Sequence, residues 1–291
     1  MITGIDPKID YAFERLFGGE PNRHLLMHLL NAVLNPPPGR QVVDLEILNP
    51  FSDKEHWDDK QSIVDIKARD QEGRLFNVEM QMVAGPFFPR RLLYYWAKLY
   101  QQQLQEGENY RNLRPTISIC FVNSLLFPQA PAHHLLFRLI DAEHTLTFTE
   151  DIEFHVIELP KFVLPVDQLT ALIDIWCYFL RHAATLDKDQ IPGPLNVAPI
   201  RQALEVLTVL TQNDQERERY EARLKIQRDW DSFVEEATEK GELLGRIQVY
   251  ERILKKPLSP KDQLRALASE QLAELAANLE KQALPGAALP N

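Results

Sequence analysis

The stretch KQSIVDIKARDQEGRLFNVEMQM, residues 60–82, alternates polar and apolar side chains in two segments that a short polar turn separates. The segments are 62–69 and 74–82, and Gly73 gives the turn a residue that adopts a positive φ without strain. An alternation with a period of two is typical of a strand with one buried face. The stretch therefore predicts two adjacent antiparallel strands joined as a hairpin.

Each predicted strand places its polar side chains on one face, because successive side chains of a strand point to opposite faces. Asp65 shares a face with Lys67 on the first strand, and Glu79 shares a face with Gln81 on the second. A register that joins the two polar faces brings Asp65 and Glu79 close enough to hold one divalent cation. An amphipathic hairpin with a solvated polar face has the same pattern, so the alternation alone leaves both interpretations open.

Helices and strands alternate over the N-terminal half of the chain. The spacing of apolar residues predicts helices over 8–18, 21–34 and 86–105. Alternating or continuous apolar runs predict strands over 41–48, 116–123, 146–148 and 154–159. Together with the hairpin, this order is typical of an α/β protein whose sheet carries helices on its faces.

The C-terminal part of the chain has the pattern of a helical region. Helices are predicted over 166–186, 199–212, 214–256 and 260–284. The mixed charges of 214–256 are typical of an exposed helix with ion pairs between successive turns, and not of a nucleic-acid-binding tail. We therefore divide the chain into a domain at 1–165 and a helical region at 166–291, whose helices are candidates for a homo-oligomer interface.

The composition is that of a globular protein with a full core, since 45% of the residues are hydrophobic. No run of 18 apolar residues occurs, and the N-terminus lacks the pattern of a signal peptide, so a cytoplasmic protein without a membrane span is predicted. Cys120 and Cys177 lie in apolar runs, which favours buried thiols over a disulfide or a zinc site.

The chain is acidic, with a formal net charge of -10. Contact with DNA therefore requires a local basic surface, because the phosphate backbone is approached by positive charge that displaces its counterions. The candidates lie in and around the hairpin and the helix after it: Lys54, Lys60, Lys67, Arg69, Arg74, Arg90, Arg91 and Lys98. Ordinary solvated charges on a mixed surface have the same distribution, and neighbouring acidic residues partly cancel them.

Short motifs along the first 165 residues resemble one family of nucleases. Asp65, followed on the next strand by Glu79-Met80-Gln81, resembles the D…(D/E)xK core of the PD-(D/E)xK nuclease superfamily, with Gln81 in the usual lysine position. The surrounding sequence motifs resemble those of the Rpn family of recombination-promoting nucleases and transposases. They follow the family's order: DYAF at 10–13, LFG at 16–18, LLNAVL at 29–34, KQSIVD at 60–65, NVEMQ at 77–81, RLLYYW at 91–96 and ELPKF at 158–162.

This resemblance implies a PD-(D/E)xK restriction-endonuclease-like core, in which a mixed central sheet is flanked by helices. It also implies hydrolysis of DNA phosphodiester bonds, dependent on Mg²⁺ or Mn²⁺, in recombination or mobile-element biology. By the same resemblance, Asp65, Glu79 and the main-chain carbonyl of Met80 hold the ion, and Asp10 on the first helix adds a contact. Glu14, four residues after Asp10, stands where the family more often has lysine.

The missing lysine has two candidate replacements. The Gln81 amide donates a hydrogen bond to water or phosphate but carries no charge. Lys67, on the face of Asp65, is the first candidate for supplying that charge. Lys60, which belongs to the family's Lys-x-Ser-x-x-Asp pattern, is the second.

The helix after the hairpin offers candidate phosphate ligands. Arg91 and Tyr95 lie four residues apart on one of its sides, and a guanidinium suits bidentate contact with phosphate. Trp96, the next residue, is interpreted as a core aromatic. Two alternatives to the nuclease stay open: a protein that keeps the fold for nucleic-acid binding or assembly without turnover, and carboxylates with a structural role only.

Overall fold

The computed structural model describes residues 2–48 and 65–283, and for Asp65 its backbone only. Lys60 and the first residues of the predicted hairpin lie outside these ranges. Contacts divide the chain into two compact units, Met1–Arg223 and Leu224–Asn291. The domain boundary predicted at residue 165, where the nuclease-like motifs end, remains a prediction.

One mixed sheet forms the centre of the first unit. Its strands within the described residues are β1 (Leu45–Ile47), β2 (Asp65–Asp70), β3 (Leu75–Gln81), β4 (Thr116–Val122), β5 (His134–Arg138) and β6 (Ile152–Glu158). The order across the sheet is β1-β2-β3-β4-β6-β5. Strands β3, β4 and β6 run parallel, while β1, β2 and β5 each pair antiparallel with a neighbour. A mixed sheet with flanking helices confirms the predicted fold class.

The predicted hairpin is formed by β2 and β3. Gly73 has φ +81° in the connection, which explains the glycine at this position. The Asp70 carboxylate closes the turn, because its Oδ1 accepts hydrogen bonds from the backbone N–H groups of Glu72 at 3.0 Å and Arg74 at 2.9 Å. The Arg74 Nε donates to Asp70 Oδ2 at 2.6 Å. These short-range contacts fix the turn and, through it, the register of the two strands.

The far edge of the sheet differs from the prediction. The strand predicted over 146–148 is wrong, since Thr147 makes only an isolated bridge with Ile140 and Leu146 and Phe148 are exposed. The strand at that edge is β5, which was not predicted. Its sequence, HLLFR, neither alternates nor forms a long apolar run, so its pairing with β6 depends on tertiary position and not on local pattern.

Five helices of the described residues surround this sheet in the first unit. They are α1 (Asp10–Phe17), α2 (Arg23–Leu34), α3 (Phe88–Gln101), α4 (Leu172–His182) and α5 (Ala198–Gln212). The structure confirms the predicted helices over 8–18, 21–34, 86–105 and 199–212, with ends shifted by a few residues. The helix predicted over 166–186 is shorter, since it begins only at Leu172.

The two faces of the sheet are covered by different helices. On one face, α1 buries Phe13, whose ring centroid is 6.3 Å from that of Phe121 on β4. On the other face, α3 buries Phe88 and Leu92 against Cys120 and its neighbours on β4 and β6. Because Cys120 and Phe121 are adjacent on one strand, α1 and α3 lie on opposite faces.

The remaining helices are α6 (Asp214–Ile253), α7 (Lys261–Arg265) and α8 (Ser269–Ala283). The first turns of α6 belong to the first unit, and the rest of α6 belongs to the second. The second unit has a core of its own, formed by Ile247, Leu264, Leu272, Ala276 and Leu279. The helix predicted over 260–284 is divided into α7 and α8. No helix in the described part of the chain combines the length and the apolar character that crossing a bilayer requires.

Candidate active site

The hairpin register places the two predicted carboxylate positions directly opposite each other. Asp65 pairs with Glu79, and Lys67 pairs with Asn77. Directly opposed residues of antiparallel strands share a face, and their Cβ atoms lie about 5 Å apart. The register therefore joins the polar faces of the two strands, so that Asp65, Lys67, Glu79 and Gln81 all belong to the face that α3 covers.

Glu79 is a fully buried polar side chain of this face, with 0% of its surface exposed. The Gln81 Nε2 donates a hydrogen bond to Glu79 Oε2 at 3.3 Å, and the Arg91 Nη2 lies 3.9 Å from the same oxygen. Burial of a carboxylate is costly unless hydrogen bonds and opposite charge compensate for the lost water. Gln81 and Arg91 supply both, so the predicted metal-binding carboxylate stands in a polar, cationic setting.

Arg91 reaches this position from α3. The helix is anchored by Phe88 and Leu92, which pack on β4 and β6, and Arg91, one turn after Phe88, extends toward Glu79 on β3. Its guanidinium carbon lies 5.1 Å from the Phe88 ring centroid, and its side chain is 36% exposed. Its Nε and Nη2 atoms are buried and have no hydrogen-bond partner among the described residues. Arg91 thus combines a positive charge with donors that are available to an anionic oxygen.

The aromatic residues of α3 separate into two environments. Trp96 donates from Nε1 to the Thr116 carbonyl at 2.8 Å and stacks on Tyr100 with 4.9 Å between ring centroids. This contact confirms Trp96 as an anchor of the helix. Tyr95 is half-buried, and its ring lies edge-on to the exposed Tyr94 at 5.6 Å. Its predicted phosphate contact remains a prediction.

A second acidic pair lies on α1, which packs on the opposite face of the sheet. Asp10 Oδ2 is 3.7 Å from the Arg223 Nη1, and Asp10 Oδ1 accepts from the Tyr11 backbone N–H at 2.7 Å. Burial raises the pKa of Asp10, and the Arg223 charge opposes that rise. The pKa of Glu14 is raised to about 7 by burial and by the Asp10 charge, again opposed by Arg223. The metal contact predicted for Asp10 stays a prediction.

The donor set of the hairpin fits a hard divalent cation. Carboxylate and carbonyl oxygens, as offered by Asp65, Glu79 and Met80, are the ligands that Mg²⁺ and Mn²⁺ prefer. Among the side chains that the structure describes, no three His, Cys, Asp or Glu residues are grouped as ligands. The Asp65 side chain is not one of those described, so the predicted pair is defined by its backbone register.

Two buried residues beside Glu79 were not proposed as functional from the sequence. Asn77 is 1% exposed and Ser118 is 0% exposed, and they pair across β3 and β4. The signal for Asn77 was its position on the polar face of the second hairpin strand. The signal for Ser118 was a hydroxyl inside the otherwise apolar run ISICFV at 117–122.

The fold, a mixed six-strand sheet with flanking helices, is therefore of the PD-(D/E)XK type. A family model described as "PD-(D/E)XK nuclease family transposase" matches residues 7–237 of the 291-residue chain. The chain belongs to this family. No curated protein and no solved structure matches it.

Proposed function

We propose that this protein is a metal-dependent endonuclease that hydrolyses phosphodiester bonds in DNA. The observation that carries the proposal is the direct pairing of Asp65 with Glu79 on the face of the sheet that α3 covers. The family supports a nuclease-type activity, and its description as a transposase supports DNA recombination or mobile elements as the setting. The proposal places the activity in the cytoplasm.

Asp65, Glu79 and the Met80 carbonyl hold Mg²⁺, or Mn²⁺ in its place. When bound, the ion supplies polarisation of the scissile phosphate and lowers the pKa of the attacking water. The hydrogen bond from Gln81 keeps the Glu79 carboxylate in a fixed orientation. The second N–H of the same amide would donate to the phosphate or to the water. Asp10 remains a candidate for a further contact.

The charge that a lysine usually supplies comes from Lys67 and Arg91. Lys67 lies on the face of the carboxylate pair, two residue pairs along the hairpin. Arg91 brings a permanent positive charge to within 3.9 Å of Glu79 and still has buried donors to offer. Arg91 and Tyr95 contact the phosphate backbone in this proposal, and Lys60 stays the second candidate for the lysine role.

The test is cleavage of supercoiled plasmid by purified protein in Mg²⁺, Mn²⁺ or EDTA, with Asp65→Asn and Glu79→Gln as variants. Glu46→Gln is the matched control, since Glu46 is an exposed carboxylate on β1 that lies 3.5 Å from the Arg69 Nη1. We expect metal-dependent nicking that the two site variants lose and the control keeps. Circular dichroism establishes that each variant is folded. Nicking by both site variants at the wild-type rate would contradict the proposal.

An alternative is a protein that keeps the nuclease fold for DNA binding or protein assembly without turnover. The observation that favours it is Gln81, an uncharged residue where the superfamily usually has lysine. The same experiment separates the two functions. Folded wild-type protein that retards DNA in a gel, but leaves plasmid intact in every metal, would support the alternative. A homo-oligomer formed through the C-terminal helices is compatible with either function and is measured by light scattering.

A further inference from the structure

A row of polar residues lies next to the carboxylate pair on the same face of the sheet. Lys67 pairs with Asn77 across the hairpin, and Asn77 pairs with Ser118 across β3 and β4. The carboxylate row, formed by Asp65 and Glu79, is two residue pairs further along the strands. Asn77 and Glu79 are thus two positions apart on one strand and project from the same face.

Helix α3 covers this polar row. Ser118 pairs with Phe154 on β6, and the Trp96 ring packs on Phe154 with 6.2 Å between centroids. The next residue pair along the same face, beyond Ser118, is apolar and belongs to the cluster of Phe88, Leu92, Cys120, Val122 and Val156. An aliphatic side chain at position 77 or 118 would suit such a setting better than an amide or a hydroxyl.

Asn77 and Ser118, the two buried members of the row, have polar atoms that no described residue satisfies. Both the Oδ1 and the Nδ2 of Asn77 and the Oγ of Ser118 have no hydrogen-bond partner among the described residues. A buried polar group that is left without a partner destabilises the folded state. Buried polar groups in native proteins are satisfied by protein partners or by internal water, which needs two to four polar contacts. The two Asn77 atoms and the Ser118 hydroxyl together offer that number.

Their spacing also suits a single shared molecule. Paired residues of neighbouring strands lie about 4.8 Å apart, which lets one water contact both an amide and a hydroxyl that project side by side. A water held there lies beside the Glu79 carboxylate, because Glu79 is the next residue of β3 on this face. Outer groups that orient a metal ligand change metal affinity by about 10- to 100-fold when they are removed.

We propose that Asn77 and Ser118 are positioning residues that hold one buried water beside Glu79 and thereby orient its carboxylate toward the metal. This inference rests on the proposed metal-dependent nuclease function. It adds two residues, neither of which touches the ion or the DNA. It also explains why an amide and a hydroxyl, and not two aliphatic side chains, lie under α3.

The test combines a high-resolution crystal structure of the wild-type protein with Mn²⁺ titration by calorimetry. The variants are Ser118→Ala and Asn77→Leu, and the matched control is Thr208→Val on α5. Thr208 is a buried hydroxyl residue that donates to the Leu204 carbonyl at 2.7 Å. We expect density for one water within hydrogen-bond distance of Asn77 and Ser118. We also expect Mn²⁺ affinity about 10-fold lower in Ser118→Ala and unchanged in Thr208→Val.

Two results would overturn the inference while leaving the nuclease in place. One is wild-type protein that binds Mn²⁺ and cleaves plasmid, with Ser118→Ala equal to it in both measurements. The other is a crystal structure in which protein groups alone satisfy Asn77 and Ser118. Folded wild-type protein that binds no Mn²⁺ overturns the proposed function itself, and the positioning role with it. If Asn77→Leu does not fold, Ser118→Ala alone is used, because this substitution removes only the Oγ atom.

Discussion

The first unit contains two acidic pairs, one on the hairpin and one on α1, and the surroundings of the two pairs differ. Asp65 and Glu79 come from adjacent strands, and Glu79 has Gln81 and Arg91 within reach. Asp10 and Glu14 come from successive turns of one helix, where burial raises the pKa of both. The Glu79 carboxylate has a hydrogen-bond donor and a cation beside it, whereas burial pushes the helix pair toward its protonated form.

This difference teaches which pair suits a metal at neutral pH. A ligand to Mg²⁺ must be deprotonated, and a carboxyl with a pKa of about 7, as for Glu14, holds its proton on about half of the molecules at that pH. The hairpin pair lies on the sheet face that α3 covers, and the helix pair lies on α1, which covers the other face. Each pair can therefore be changed without touching the other.

The largest effect is expected from Asp65→Asn. Removal of one metal-binding carboxylate should lower plasmid nicking about 10³-fold or more, by analogy with the loss of a main electrostatic group in other active sites. The measurement is the initial rate of nicking in Mn²⁺, with folding followed by thermal melting. A rate within about threefold of wild type would remove Asp65 from the site.

Glu14→Gln should change stability and not cleavage. The folded-state pKa of Glu14 is about 7, above its ordinary value of 4.5, so the unfolded chain ionises at lower pH than the folded chain. Below pH 4.5 Glu14 is protonated in both states and does not change the free energy of unfolding. As the pH rises from 4.5 through 7, the free energy of unfolding of the wild-type protein falls by up to about 3 kcal/mol, and that of the Gln variant does not. Urea unfolding at pH 5 and pH 8 measures this difference, and an equal effect at both values would contradict it.

Arg91→Met should weaken cleavage about 10-fold, because a charge and its donors leave the edge of the site while the aliphatic packing is kept. Arg91→Lys should recover only part of the loss, since an ammonium lacks the planar fork of the guanidinium. The matched control is Arg90→Met, because Arg90 is the exposed neighbour on the same helix. Initial rates at several DNA concentrations separate binding from turnover. Equal rates for the Met variants at positions 90 and 91 would assign Arg91 a structural role.

The smallest effect is expected from Arg223→Met. Arg223 opposes the rise in the pKa of both Asp10 and Glu14, so its loss should raise both pKa values further. The variant should be less stable than wild type at pH 8 by about 1 kcal/mol, with a smaller difference at pH 5. Urea unfolding at the two pH values gives the result. A variant that is more stable at pH 8 would show that the Asp10–Arg223 contact does not stabilise the fold.

The hairpin can be predicted from the sequence because neighbouring residues determine both its turn and its strand pattern. Gly73 and the Asp70 turn define the connection, and alternation assigns Asp65 and Glu79 to a common face once the register follows from the turn. The central strand at 116–122 could also be predicted from the sequence, because a strand buried on both faces has a continuous apolar run. Most of the fold, and the candidate carboxylate pair, could therefore be predicted from the sequence.

The rest depends on contacts between distant parts of the chain. Strand β5 forms because β6 offers it a partner, and nothing in HLLFR itself requires a strand. The Asp10–Arg223 ion pair joins α1 to α6, and no periodicity links the two residues. The approach of Arg91 to Glu79 needs the packing of α3 on the sheet, which places a polar residue next to an anchored apolar one. Helix spacing predicted α3 itself, but not the strand beside which its edge lies.

The most direct test of this account is to measure Mn²⁺ binding and plasmid nicking together in wild-type protein, Glu79→Gln and Glu14→Gln. Each substitution replaces one carboxyl group by an amide at nearly constant volume, one from each pair. The account predicts that Glu79→Gln loses both activities and that Glu14→Gln keeps both. Loss of metal binding and nicking in Glu14→Gln, with both retained in Glu79→Gln, would contradict the assignment of the hairpin as the active site.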